Sequence, residues 1–156
     1  MTAKNIVRVL RAAAILGVGV PYGTDAFFML VGRRALERSA PSSLVDVMGH
    51  MHETADRRMP LVGVLGMVAT AAMAVAAGPG PARRLGGTAL AAQAGFVALY
   101  AARSAPINRQ LTAGAVQGEV LPDARALQQR WDSVLPARLA LLTVALGLLA
   151  ACGGEG

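Results

Sequence analysis

The sequence predicts an all-α fold: an integral membrane four-helix bundle, a single domain over residues 1–156, with two longer helical connections on one face. Three observations carry this. Apolar residues make up 54% of the chain and its mean hydropathy is +0.49, too oily for a soluble domain of this size. Charged residues amount to only 15% and fall between four apolar blocks instead of recurring along amphipathic helices. The blocks approach the roughly 20 residues a helix needs to cross a bilayer.

The first span is expected over residues 8–32. Lys4, Arg8 and Arg11 followed by Ala12–Val20 imitate the basic and apolar regions of a secretory signal. The apolar run continues through Pro21–Asp25 into Ala26–Gly32 with a poor cleavage site, so it reads as an uncleaved helix. Asp25 is the one carboxylate inside it, and burying such a group costs on the order of 3 kcal/mol. Two placements stay open: it faces the bundle interior, or it sits near the helix end and reaches water.

Residues 33–58 form the first long connection. Arg33, Arg34, Glu37 and Arg38 suit an interfacial anchor, Ser39–Ser43 breaks the helix and offers a serine cap, and Leu44, Val47, Met48 and Met51 recur at helical spacing. The second span, 59–78, holds Pro60 in its first turn, where the missing N–H is harmless. Gly78-Pro79-Gly80-Pro81 ends it and leads tightly into the third span, 85–102. Residues 103–138 make the second connection, with a helix from Leu121-Pro122-Asp123 whose apolar stripe is Leu127, Trp131, Val134 and Leu135. The fourth span covers 136–151, and the tail from Gly153 to Gly156 is expected to fray.

The face with the two connections holds ten arginines and seven carboxylates; the other has Lys4, Arg8, Arg11, Arg83, Arg84 and Glu155. Basic residues alone would place the long connections in the cytoplasm of a multi-pass cell-membrane protein. The net charge of +6 does not point to nucleic acid, because the arginines are dispersed and no aromatic residues are interleaved for base stacking. Cys152, alone in the chain, cannot form an internal disulfide.

The stretch Met48–Arg58 carries both histidines and two carboxylates, Glu53 and Asp56. On a helix His50 and Glu53 share one face and His52 and Asp56 another. At about 100° per residue, His50 and His52 lie about 200° apart, so one regular helix does not aim both at one metal. A site using both needs an irregular turn near Gly49, or one pair joined by another segment.

Four spans, the Pro106-Ile107-Asn108 element after the third, Arg130-Trp131 on the following helix and Arg138 entering the last span resemble the DUF1772, or anthrone oxygenase-like, membrane proteins. The first half is similar in layout only. Where the family's pattern has a second asparagine shortly after the first, this chain reads Asn108-Arg109-Gln110-Leu111-Thr112. The resemblance implies a small integral membrane protein, some of whose relatives are associated with oxidation of an anthrone to an anthraquinone by O2.

Such chemistry needs a base for an acidic carbon-bound proton, a stabiliser for the oxyanion and a dry pocket. His50 or His52 suits the base, and Arg109, Arg130 or Arg138 the stabiliser, with Asn108 beside them. A metal version uses His50, His52 and Glu53 joined by Asp25 or Asp56, a mixed nitrogen and oxygen set for iron or copper, less so zinc. Tyr22, Asp25 and Trp131 are candidates to line the substrate. The expected partners are an apolar aromatic metabolite of polyketide type, membrane lipid and further copies of the chain in a homo-oligomer. An enzyme predicts that polar groups from residues 25, 50–56 and 108–138 converge in one cavity. The alternative, a non-catalytic partner subunit or small-molecule carrier, predicts that they fan out to headgroups and water.

Overall fold

Four long helical rods make up the computed structural model, which describes residues 2–153. The first is α1 (Ala3–Phe27), a π-helical turn (Phe28–Gly32) and α2 (Arg33–Glu37); the second is α3 (Pro41–Ala76). The third is α4 (Pro81–Leu99), a second π-helical turn (Tyr100–Ser104) and α5 (Ala105–Gln117); the fourth is α6 (Ala124–Asp132) and α7 (Leu135–Ala151). Each rod is long and apolar enough to cross a membrane. No strand occurs among the described residues. Of the tail expected to fray, Gly153 is described and donates its N–H to the Ala150 carbonyl (3.1 Å), and residues 154–156 lie outside the described residues.

The ends follow local chemistry. Thr2 Oγ1 accepts from the Asn5 N–H at the start of α1 (3.4 Å). Pro41 and Pro81 open α3 and α4, where a proline loses no helical hydrogen bond. Gly118, in left-handed conformation at φ +67°, closes α5. The N-cap of α3 is Ala40, with no side-chain bond, in place of the expected serine. Arg125 instead reaches across from α6 and donates to the carbonyls of Leu36 (3.0 Å), Glu37 (3.1 Å) and Ser39, satisfying the orphan acceptors where the first rod ends.

The two long connections differ from expectation. The chain reverses within residues 38–40 and again within 118–123; apart from a two-residue turn at 133–134, the rest of 33–58 and 103–138 is helix running on into the neighbouring apolar block. α3 runs for 36 residues, about 54 Å, and Pro60 lies in its interior, not in a first turn. The reason is burial. Leu44, Val45 and Met48 on α3, and Ile107 and Leu111 on α5, keep one apolar face buried past the point where the outer face becomes charged.

α1 packs along α3 and α7, and α4 packs along the same two, closing a ring. Inside it are two apolar layers. One joins Phe28, Leu36, Leu44, Met48, Leu111, Leu127, Trp131 and Leu135; the other joins Ala14, Val18, Met73, Ala89, Leu142, Ala145 and Leu149. The second layer is built largely from small residues, so backbones approach closely: a Cβ on Gly17 would come 2.5 Å from the Gly66 Cα. Large apolar side chains point outward instead, among them Leu16, Leu30, Leu61, Leu65, Val68 and Val75. Small inside and large outside is the pattern of helices whose solvent is lipid, and the chain reads as a multi-pass membrane protein.

Candidate functional site

Between the two apolar layers lies a layer of buried polar groups, one or more from every rod. Helical rise accounts for their common level. Thirteen residues climb from Asp25 to Arg38 and fifteen descend from Pro41 to Asp56, each about 20 Å. Thirteen climb from Ser104 to Gln117 and fourteen descend from Ala124 to Arg138, again about 20 Å. Two tight reversals at one end therefore bring Asp25, Asp56, Ser104 and Arg138 to one height.

At its centre Arg138 donates from Nε to Asp25 Oδ2 (2.9 Å) and from Nη2 to Asp25 Oδ1 (2.7 Å), a bidentate ion pair between α7 and α1. Its Nη1 donates to Ser104 Oγ (2.8 Å) in the π turn of the third rod. The rings of Phe96, Trp131 and Tyr100 surround the guanidinium, with centroids 5.2, 5.5 and 5.7 Å from Cζ. Of the two placements open for Asp25, the interior one is found.

Beside this pair, Asp56 accepts from the Tyr100 hydroxyl (2.6 Å) and from Asn108 Nδ2 (3.0 and 3.2 Å). Asn108 Oδ1 in turn accepts from Trp131 Nε1 (3.0 Å). His52 lies one turn before Asp56 with its ring 5.5 Å from that of Trp131, and it is only 5% exposed. Its Nε2 has no hydrogen-bond partner. Asp56 and Arg138 both lie within electrostatic reach of it.

The predicted residues divide accordingly. Asp25, His52, Asp56, Asn108, Trp131 and Arg138 come together. His50, 53% exposed, is on the outer side of α3, with Nδ1 3.4 Å from Glu53 Oε2 and Nε2 3.7 Å from Asp46 Oδ1. Glu53 also accepts from Arg57 (2.8 Å). Arg130 is exposed at the surface of α6, 3.6 Å from Asp123. Tyr22 packs against the small-residue layer. Arg109 is exposed and lines a surface cleft of about 520 Å³ whose wall also includes Asp56. That cleft is where the buried layer meets the outside.

The five candidate metal ligands are split: His52 buried on the inner face of α3 with Asp56 half-buried one turn on, His50 and Glu53 on its outer face, Asp25 committed to Arg138. No group of three or more His, Cys, Asp or Glu placed to hold a metal ion occurs among the described residues. His52 with Asp56 supplies one nitrogen and one oxygen donor, half of a four-coordinate set.

Arg138 was expected to face an oxyanion. Its Nε and both terminal nitrogens are already engaged by Asp25 and Ser104, so in this arrangement it positions α1, the third rod and α7. Tyr100 and Ser104 were not among the predicted site residues. The signal for them is the polar recurrence Tyr100, Ser104, Asn108, every fourth residue in a largely apolar stretch. Both π turns sit at this level, which is where such widened turns are often found in functional sites. Comparison with protein-family models, curated proteins and solved structures found no match for this chain.

Proposed function

We propose that this chain, folded as a four-helix bundle of the cell membrane, is an oxygenase or oxidase that acts on an apolar aromatic metabolite with O2. The single observation that supports this most is His52: a buried imidazole nitrogen with no partner, beside a carboxylate held by Tyr100 and Asn108. Burying an unsatisfied polar atom is costly, and a group waiting for a proton is a reason to keep it. The likeness of Pro106-Ile107-Asn108, Arg130-Trp131 and Arg138 to the anthrone oxygenase-like proteins supports the same reading.

In this reading His52 removes a proton from an activated ring methylene. The resulting enolate adds O2 to give a hydroperoxide, and loss of water leaves the ketone, so one oxygen atom enters the product and the other leaves as water. Asp56 fixes Tyr100 and Asn108, and through Asn108 the indole of Trp131. Of the three candidate arginines, Arg109 is the one at the cleft without an ion-pair partner among the described residues, free to meet an anionic group of the substrate. An iron or copper ion bound through His52 and Asp56 with further donors would activate O2 directly.

Oxygen uptake by the detergent-purified protein supplied with an anthrone tests this. One O2 consumed per anthrone is expected, with His52→Ala slower by about 10²-fold or more and His50→Ala little changed. Metal analysis of the same samples separates the two versions: iron or copper lost in His52→Ala and kept in His50→Ala marks the metal-dependent one. Uptake indifferent to His52 would overturn the assignment.

The saturated Asp25–Arg138–Ser104 triad favours a second reading, a non-catalytic partner subunit or carrier in which the polar layer only ties rods together. It predicts no uptake in any sample.

A further inference from the structure

The cleft between α3 and α5 carries an unusual charge inventory. Glu53 and Arg57 neutralise each other at 2.8 Å. Asp56 receives only neutral donors, the Tyr100 hydroxyl and the Asn108 amide, and no cation lies within 4 Å of it among the described residues. Arg109, on the same wall, has no carboxylate within 4 Å among the described residues. The cleft thus holds one anion without a cation and one cation without an anion, too far apart to neutralise each other.

We infer that this cleft binds the polar end of a phenolic carboxylate, the carboxylate on Arg109 and the hydroxyl donating to Asp56. The inference rests on the reading above, that the buried layer handles an aromatic small molecule. A guanidinium prefers a planar two-oxygen anion. A carboxylate offers about four acceptor positions, and Asp56 uses three, so Oδ2 has room for one more donor.

The direction of the cleft selects an aromatic acid over a lipid headgroup. Its apolar wall, Ala113 and Val116, lies up to about 10 Å beyond Arg109 along α5. Past Asp56, the run of exposed large apolar side chains on α3, Leu61, Val64, Leu65, Val68 and Val75, starts about 7.5 Å away on the opposite side. A phospholipid held by these charges would have to send its acyl chains away from the apolar wall. A rigid ring system lies along it.

The test is calorimetric titration of the full chain in phosphatidylcholine nanodiscs, with empty nanodiscs subtracted, using 6-hydroxy-2-naphthoate, 2-naphthoate and 2-naphthol. The hydroxy acid is expected to bind at least tenfold more tightly than either single-function probe. Arg109→Ala is expected to weaken both acids about tenfold or more and leave 2-naphthol unchanged. Arg57→Ala, in the same cleft but already paired, is expected to stay within about twofold. Equal acid binding in wild type and Arg109→Ala overturns the inference. So does a tenfold loss of probe affinity when the nanodiscs carry phosphatidylethanolamine, lost again in Arg109→Ala, which would make the cleft a headgroup site. Arg109-dependent acid binding without oxygen uptake keeps the cleft and overturns the catalytic reading; uptake with Arg109-independent binding does the reverse.

Discussion

Asp25→Leu leaves a buried guanidinium without its counter-charge, and the structure sets the size of the loss. The Asp25 and Arg138 side chains are 1% and 8% exposed, so water does little to screen the pair. Removing one partner of such a pair costs about 3–5 kcal/mol, because the other charge stays buried. Two terms offset this: Ser104 still accepts from Nη1, and three rings still face Cζ. A loss of about 3 kcal/mol is expected, a large share of the 5–15 kcal/mol typical of a folded domain.

Arg138→Met should cost less, because a lone carboxyl can become neutral by taking a proton whereas a guanidinium keeps its charge. The double variant should recover most of the loss, since an apolar pair of similar volume is often as stable as a buried ion pair. Reversible unfolding in mixed micelles, followed by near-ultraviolet circular dichroism of Trp131, gives all three values as a double-mutant cycle. A loss below about 1 kcal/mol for Asp25→Leu would refute the argument, as would a double variant less stable than both singles.

Two further predictions concern the fold. Gly17→Leu forces the α1 and α3 backbones apart at Gly66 and should cost about 1–3 kcal/mol, whereas Gly63→Ala, with nothing within 4 Å of the added carbon, should be neutral or slightly stabilising in the same unfolding assay. Spin labels at Leu61, Leu65 and Val75 should be reached by O2 from the lipid phase, and labels at Asp46 and Val47 by a water-soluble relaxation agent; the opposite pattern would remove the membrane assignment.

The four apolar blocks are legible in the sequence because long stretches without charge have few soluble interpretations. The opposite placement of His50 and His52 is legible too, since it needs only the angle per residue. The lengths of the rods are not. Arg57 and Arg58 read as the edge of a span, yet α3 passes through them because its other face still buries Leu44, Met48 and His52. Nor does the sequence show that Asp25 meets Arg138, 113 residues away, because that follows from the height at which two turns return the chain. Tyr100 and Ser104 are hidden for a third reason: polar residues in a span ordinarily suggest a helix contact of no special role.

The two widened turns have a further consequence. A π turn is an α-helix carrying one residue more than its hydrogen bonds require, so it sets the rotational phase of whatever follows it. In the third rod the surplus residue falls between Tyr100 and Asn108, the two donors on Asp56. Trimming one alanine there would let the helix relax to ordinary winding and turn α5 by about 100° relative to α4. Tyr100 would keep its aim while Asn108, and with it Trp131, would swing away. The polar layer is therefore held together by a count of residues as much as by their identity, and a one-residue deletion within Tyr100–Ser104 would do more to it than most substitutions.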